Sequence, residues 1–379
     1  MTNDNNLSIT VLLIEDSEAD AGLIKAHLGG CSQPSFVVHH ETTLRAGVLR
    51  LHEGLVDIVV LDLSLPDSHG LQTFSQVTDA ANGAPIVILS GVKDDQIALE
   101  AVRQGAQDFF SKNETISESL GRSLQYTIER YHRQRAEREI DAAAFIQRRL
   151  YPRPLPPLPG LDVAGRCDPA NQVGGDYFDY LMADENSLLL VIGDVSGHGF
   201  GPSLVMAETR AAVRTLACIT DDIGTMIRRV NELLVHDNFG AFVSLFLARI
   251  DVATGVCRYV SAGQPAELIR ADGSTETLEC GAPPLGIQLG GPYAVRETQL
   301  RTNDKLLLYT DGISERSLAP SKLFGVPRMC QLIADSTGMN ATETLERLFD
   351  EANAFANARP PADDMTAIVL KVNSVASGV

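Results

Sequence analysis

The stretch LLLVIGDVSGHGFG at 188–201 runs an unbroken apolar series into a carboxylate, Asp194, and then into glycines. Such a series suits a strand covered on both faces. A carboxylate at its exit is expensive to bury without a cation or several donors. Taken alone, Asp194 would serve equally well as the cap of a helix starting near Pro202. The pattern recurs, however, in KLLLYTDG at 305–312, which ends on Asp311, and in ADDMTAIVLKV at 362–372, where Asp363 and Asp364 stand just before another apolar strand. Asp176, in VGGDYFD at 173–179, adds a further acid. Strand-end carboxylates without a Cys or His cluster favour hard divalent cations, Mg2+ or Mn2+, held by oxygen ligands and water. Two such ions about 3.5–4 Å apart can share a water, lower its pKa and clamp the oxygens of an in-line displacement at phosphorus. Phosphoester hydrolysis is the chemistry this set suits.

A second set lies nearer the N-terminus. Glu15 and Asp16 form an acid pair at the end of one apolar strand, Asp62 ends another, Ser90 a third, and a last strand runs through Phe109 and Phe110 to Lys112. Each residue has an ordinary reading: Ser90 in a turn, Lys112 as a solvated charge, Asp16 as a helix cap. Together they could do chemistry. An Asp can accept a phosphoryl group if a metal neutralises the repelling charges, which Glu15 and Asp16 could arrange, while a Lys and a Ser hold the phosphoryl oxygens.

These residues need elements to position them. Residues 8–121 alternate short apolar strands with helical patterns, which predicts a parallel doubly wound sheet with its site at the carboxyl ends of the strands. From 116 to 150 the chain is rich in Arg, Glu, Gln and Ala and holds one glycine, Gly121, and no proline, so it reads as one long helix or two abutting ones. Leu120, Leu124, Ile128 and Tyr131 make an apolar stripe that Arg135 and Arg138 interrupt before Ile140, Ala144 and Leu150 resume it. A short dimeric coiled coil and a helix packed on the chain's own acid-bearing domain both fit this stripe. Arg130, Arg133, Arg135 and Arg138 are most simply a solvated face. The segment PRPLPPLPG at 152–160 ends the helix and opens a new domain.

The ordered series VGGDYFD, IGDVSGHG, SAGQP, GAPPLGI, DKLLLYTDGISE and DDMTAIVL resembles the metal-dependent serine/threonine phosphatases of the PPM superfamily, in their bacterial regulatory, SpoIIE-like branch. That resemblance implies a β-sandwich flanked by helices, with a dinuclear Mn2+ or Mg2+ centre at one end. Asp194 would bridge both metals, the backbone carbonyl of Val195 would bind one, Asp311 and Asp363 would complete the centre, and Asp176 would be a further ligand through water. Asp364 and Asp179 would act behind the ligands or hold structure. Gln264 stands where the family usually carries His or Asn, and GAPPLGI resembles the loop that closes over the metal face. Arg166 is a candidate phosphate-binding cation by position alone. Residues 8–125, with LDLSLPDSHG around Asp62, resemble the receiver domain of two-component response regulators. The resemblance implies phosphorylation of Asp62, Mg2+ on Glu15, Asp16 and Asp62, and a switch read by Ser90 and Phe109. It departs at Asn113, where a proline commonly follows the lysine.

The expected architecture is multidomain, α/β plus α+β: a (βα)5 doubly wound parallel-sheet receiver over 8–125, a helical linker over 116–150, and an αββα sandwich phosphatase over 155–373. The expected function is a response regulator whose phosphorylation at Asp62, by a cognate sensor histidine kinase, controls a protein serine/threonine phosphatase. The branch implies a phosphorylated STAS-type anti-sigma factor antagonist as substrate, in partner-switching control of a stress sigma factor. The linker stripe suggests a homodimer. A non-catalytic scaffold that uses the phosphatase fold to hold a partner is the alternative; a buried acid cluster with no metal to hold would only destabilise it.

Other features narrow the field. The 379 residues carry a net charge of −18, which argues against non-specific nucleic-acid binding. No apolar run approaches the roughly 20 residues needed to span a membrane, and the polar start MTNDNNLS is not a signal peptide, so a cytoplasmic protein is expected. Cys31, Cys167, Cys218, Cys257, Cys280 and Cys330 show no CxxC spacing and read as reduced apolar residues. Gly174 to Phe178 superficially resembles the GGDEF signature of diguanylate cyclases, but Tyr177 stands where that signature has Glu. Ser196 and His198, two apart, lack the third group that would make a nucleophile–base pair.

Overall fold

A computed structural model describes residues 8–31, 34–54, 56–91, 95–112, 120–237, 240–279, 281–319 and 322–375. The chain forms two compact units, Met1–Glu139 and Ile140–Val379.

The first unit alternates strands and helices: β1 (Ser8–Ile14), α1 (Glu18–Gly29), β2 (Ser35–Glu41), α2 (Leu44–Glu53), β3 (Ile58–Asp62), a small hairpin of β4 (Ser64–Leu65) and β5 (Ser68–His69), α3 (Leu71–Ala80), β6 (Ile86–Ser90), α4 (Asp95–Arg103), β7 (Asp108–Ser111) and the first part of α5 (Leu120–Arg148), whose last residues belong to the second unit. The strands form one parallel sheet in the order β2-β1-β3-β6-β7. Parallel strands need helical crossovers, which cover both faces of the sheet. One apolar layer joins Leu12, Ile14, Val59 and Leu61 to α2, α3 and α4; the other joins Val11, Leu13, Val60 and Val87 to α1 and the start of α5. Local signals set the helix starts. Ser17 accepts from the Asp20 amide at 3.3 Å, and Thr43 from the Ala46 amide at 3.3 Å. Leu120 and Leu124 are buried in the receiver core, with Ile128 packed on its edge. This half of the linker stripe is therefore satisfied within the unit and does not form a free coiled-coil seam. Asn113 lies outside the described residues.

The second unit contains β8 (Leu161–Asp168), β9 (Tyr177–Asp184), β10 (Ser187–Val195), α6 (Phe200–Ala217), α7 (Ile223–Asp237), β11 (Val243–Asp251), β12 (Val256–Ala262), β13 (Ala266–Ile269), β14 (Thr275–Leu278), β15 (Arg296–Gln299), β16 (Lys305–Tyr309), the short α8 (Asp311–Ser314), β17 (Ser317–Ala319), β18 (Lys322–Leu323), α9 (Val326–Asp335), α10 (Ala341–Phe355) and β19 (Met365–Val372). Two antiparallel five-stranded sheets, β15-β12-β11-β10-β9 and β14-β13-β16-β19-β8, face each other. The alternation of side chains explains why the strands read as continuous apolar runs. Leu188, Leu190 and Ile192 point between the sheets, whereas Leu189 and Val191 point outward to α6 and α7. Likewise Leu306 and Leu308 point inward, while Leu307 and Tyr309 meet α9 and α10. The layers are helix, sheet, sheet, helix.

Among the described residues no helix is long and apolar enough to cross a membrane. Cys31, Cys167, Cys218, Cys257 and Cys330 are unbridged; Cys280 lies outside the described residues.

Candidate functional site

Strand register brings the acids of the second unit to one end of the sandwich. Asp194 is the penultimate residue of β10, paired with Ser244, and shares the inward parity of Leu190 and Ile192. Its side chain therefore emerges at the rim between the sheets. Gly193 pairs with Tyr177, which places Asp176 beside it at the start of β9. In the other sheet β16 ends opposite Ala367 of β19, so Asp311 leaves one strand where Asp363 and Asp364 enter its neighbour. Asp176 is 1% exposed, Asp194 is half-buried, and Asp311 and Asp363 are exposed at the mouth.

Among the described residues no Lys, Arg or His forms an ion pair with any of these acids. The result is mutual repulsion. Burial, with repulsion from Asp311, Asp363 and Asp364, pushes Asp194 up to about 7. Burial and the charge of Asp194 hold Asp176 far above the usual carboxylate range, and burial and Asp363 raise Asp311. An all-oxygen acidic cluster with no ion-paired cation among the described residues fits Mg2+ or Mn2+. The Val195 carbonyl oxygen lies 3.0 Å from where a Cβ on Gly175 would stand, so glycine at 175 keeps that oxygen clear.

The remaining polar residues hold the acids in place. Asp364 accepts the Ala170 amide at 2.8 Å, the Gly175 amide at 2.7 Å and the Asp176 amide at 3.4 Å, fastening the loop before β9 to the start of β19. A Cβ on Gly174 would lie 2.3 Å from the Asp364 carboxylate, and one on Gly312 only 2.0 Å from the Asp364 carbonyl oxygen. Thr310, absent from the sequence reading, donates its hydroxyl to Asp176 at 2.8 Å and accepts the Thr366 amide at 3.0 Å. Its one signal was its place directly before Asp311. Asp179, fully buried, takes a two-bond contact from Arg214 of α6 at 2.6 and 2.8 Å and a hydroxyl from Tyr177.

Three other residues are accounted for away from the acids. Gln264 accepts the Ser244 hydroxyl at 2.6 Å and donates to the Tyr309 carbonyl, so it ties the two sheets together. Arg166, the candidate by position, is engaged elsewhere: it pairs with Asp168 at 2.6 Å and stacks over Phe349 of α10 at 4.5 Å. Ser196 exchanges bonds with the Phe242 backbone at 2.9 and 3.0 Å. The GAPPLGI loop is bonded to β11 through Leu285 and Val243.

In the first unit, carboxylate oxygens of Glu15, Asp16 and Asp62 lie within 4.8 Å of one another, the one such group of three among the described residues. No three acids of the second unit, among the described residues, meet that spacing. Lys112 reaches Glu15 and Asp62 at 2.6 Å each and Asp20 at 3.3 Å. Burial raises Glu15 to about 7 against the opposing pull of Lys112. For Lys112, burial favours the neutral form, but the bonds to Asp62 and Glu15 outweigh it and hold the ammonium charged. The Lys112 amide donates to the Ser90 carbonyl at 2.8 Å, joining β6 to the lysine's own strand end. Ser90 is buried, and Phe109 is half-buried against the core under α4. Three clustered carboxylates suit a single Mg2+.

A family model described as Stage II sporulation protein E (SpoIIE) matches residues 184–373, half of the chain, and one described as Response regulator receiver domain matches 11–122. Protein IcfG of Synechocystis sp. is 24% identical over 264 residues, covering 62% of this chain and 42% of that protein. Phosphoserine phosphatase RsbU of Bacillus subtilis is 26% identical over 242 residues, covering 63% of this chain and 71% of that protein. The chain thus spans under half of IcfG. Among solved structures, the RsbU and RsbW domains of Rv1364c from Mycobacterium tuberculosis match with 28% identity and a TM-score of 0.51, over 59% of this chain and 62% of that one. Two facing sheets between helix layers, acids gathered at one rim and a family match over that same region place this chain in the SpoIIE family of PPM-type phosphatase domains, with a response-regulator receiver domain preceding it.

Proposed function

We propose that this chain is a response regulator whose phosphorylation on Asp62 controls a metal-dependent protein serine/threonine phosphatase. The observation that carries the reading is the convergence of Asp176, Asp194, Asp311 and Asp363 from separate strand ends of both sheets, with no ion-paired Lys, Arg or His among the described residues to balance them. Asp194, Asp311, Asp363 and the Val195 carbonyl would hold two Mn2+ or Mg2+ ions, with Asp176 a further ligand. When bound, such ions supply Lewis-acid charge and an activated water for attack at phosphorus. The chain's own part is placement. Asp364 and Thr310 fix the Asp176 loop against β16 and β19, and the absence of a Cβ at Gly174 and Gly312 lets these backbones approach. With Arg166 engaged elsewhere, charge stabilisation at the phosphoryl group would fall to the ions.

In the receiver, Glu15, Asp16 and Asp62 would hold one Mg2+. Lys112 stands where it would neutralise the phosphoryl oxygens on Asp62, and Ser90 and Phe109 would pass on the change. The phosphodonor would be a sensor histidine kinase. The substrate would be a phosphoserine or phosphothreonine on a STAS-type anti-sigma factor antagonist, with the chain acting as a homodimer in the cytoplasm.

The test is hydrolysis of a phosphoserine STAS-type substrate by the purified chain with Mn2+, with and without beryllofluoride as the phospho-aspartate mimic. Turnover that requires Mn2+, is lost in Asp194→Ala and changes severalfold with beryllofluoride is expected. Absence of turnover in both states would move the reading to a non-catalytic partner-holding module.

A further inference from the structure

We propose that Gln147, near the end of α5, is a positioning residue for the loop that delivers Asp176. This rests on the reading of Asp176 as part of the metal centre and adds the element that sets it. Gln147 is 6% exposed on a helix whose other polar residues are mostly solvated. Its amide nitrogen donates to the Gly174 carbonyl at 2.7 Å, and its amide oxygen accepts the Gly174 N–H at 3.0 Å. One side chain thus satisfies both backbone groups of one residue, as a neighbouring strand would.

On its other side Gly174 is confined by Asp364, whose carboxylate occupies the space a Cβ would need and binds the next two amides. The Gly174 peptide is therefore gripped between the helix and the start of β19, two residues from Asp176. The turn after the helix is anchored as well. The Leu150 carbonyl accepts from Arg210 of α6 at 2.6 Å, and the Tyr151 ring stacks on Phe178 at 5.2 Å. Moving the end of α5 would pull first on Gly174, because an amide pair with two directed bonds tolerates little displacement.

The test is Mn2+ binding to the full chain by calorimetry, for the parent and for Gln147→Met, which keeps length and loses both bonds, and Gln147→Glu, which keeps only the acceptor. Thermal unfolding checks that each variant is folded. We expect at least tenfold weaker Mn2+ binding in Gln147→Met, an intermediate loss in Gln147→Glu, and hydrolysis that recovers as Mn2+ is raised. A folded Gln147→Met with Mn2+ affinity within twofold of the parent would overturn the inference and leave the phosphatase reading standing. A parent chain that binds no Mn2+ overturns both. Amide exchange at Gly174 of the parent gives a test free of variants: slow exchange is expected, and exchange as fast as an open loop would overturn the grip.

Discussion

Asp194 contributes to the pH behaviour of the metal-free protein, together with Glu15, Asp176 and Asp311, which are also raised. Its carboxyl, held near 7 by burial and by Asp311 and Asp363, keeps a proton in the folded chain that the unfolded chain has already lost above about pH 4. Stability therefore falls as pH rises through that window, the reverse of a salt-bridged aspartate. A cation at the site must displace that proton. Apparent Mn2+ affinity is accordingly expected to fall by up to about tenfold per unit as pH is lowered below 7, and titrations at several pH values between 5.5 and 8 check it. Thr310 allows a second prediction. Thr310→Val keeps the shape but strips a donor from Asp176 and an acceptor from the Thr366 amide, at a cost of about 1–3 kcal/mol for buried groups left unpaired. Urea unfolding of the metal-free chain measures it. The strand-end placement of the acids was legible in the sequence because one pattern, an apolar run meeting a carboxylate, recurs at Asp194, Asp311 and Asp363. Thr310 and the amide-gathering role of Asp364 were not, since a hydroxyl or carboxylate serving a remote backbone leaves no periodic mark.

At the scale of elements, the alternation of strands and helices in the first unit and the long helix were both readable, because hydrophobic period and the absence of proline act locally. What the helix packs against was not. An apolar stripe at i, i+4 and i+8 has the same pattern whether its partner is a second copy or the chain's own sheet. Here Leu120 and Leu124 enter the receiver core beside Val11 and Leu13. Leu124→Ala is therefore expected to cost the receiver about 2–5 kcal/mol with no change in association state. Denaturant unfolding alongside sedimentation would separate this from a coiled-coil seam, which would lose association instead. Gln147 escaped the sequence reading for a related reason: a glutamine in a helix rich in Arg and Glu looks solvated, and a contact from the side chain to a distant glycine has no sequence period.

For the whole molecule, the two acid-lined sites are to be told apart by substitution. Asp62→Ala removes one of the carboxylates that Lys112 bridges but leaves every acid of the second unit in place. Hydrolysis by that variant is expected to persist and to ignore beryllofluoride; a preserved response would mean that the receiver is not the switch. One further consequence follows from the pairing of β8 with β19. The first strand of the sandwich has no partner until the last is made, and the Ala170 amide finds its acceptor 194 positions further along the chain. The receiver sheet, by contrast, closes with β7 at Ser111. Chains leave the ribosome N-terminus first, and at about 5–20 residues per second the stretch from Ala170 to Asp364 takes roughly ten to forty seconds to synthesise. The receiver sheet can therefore form while the acid-bearing sandwich still lacks its last strand, so under the proposed reading the switch is in place before the hydrolytic centre it would govern.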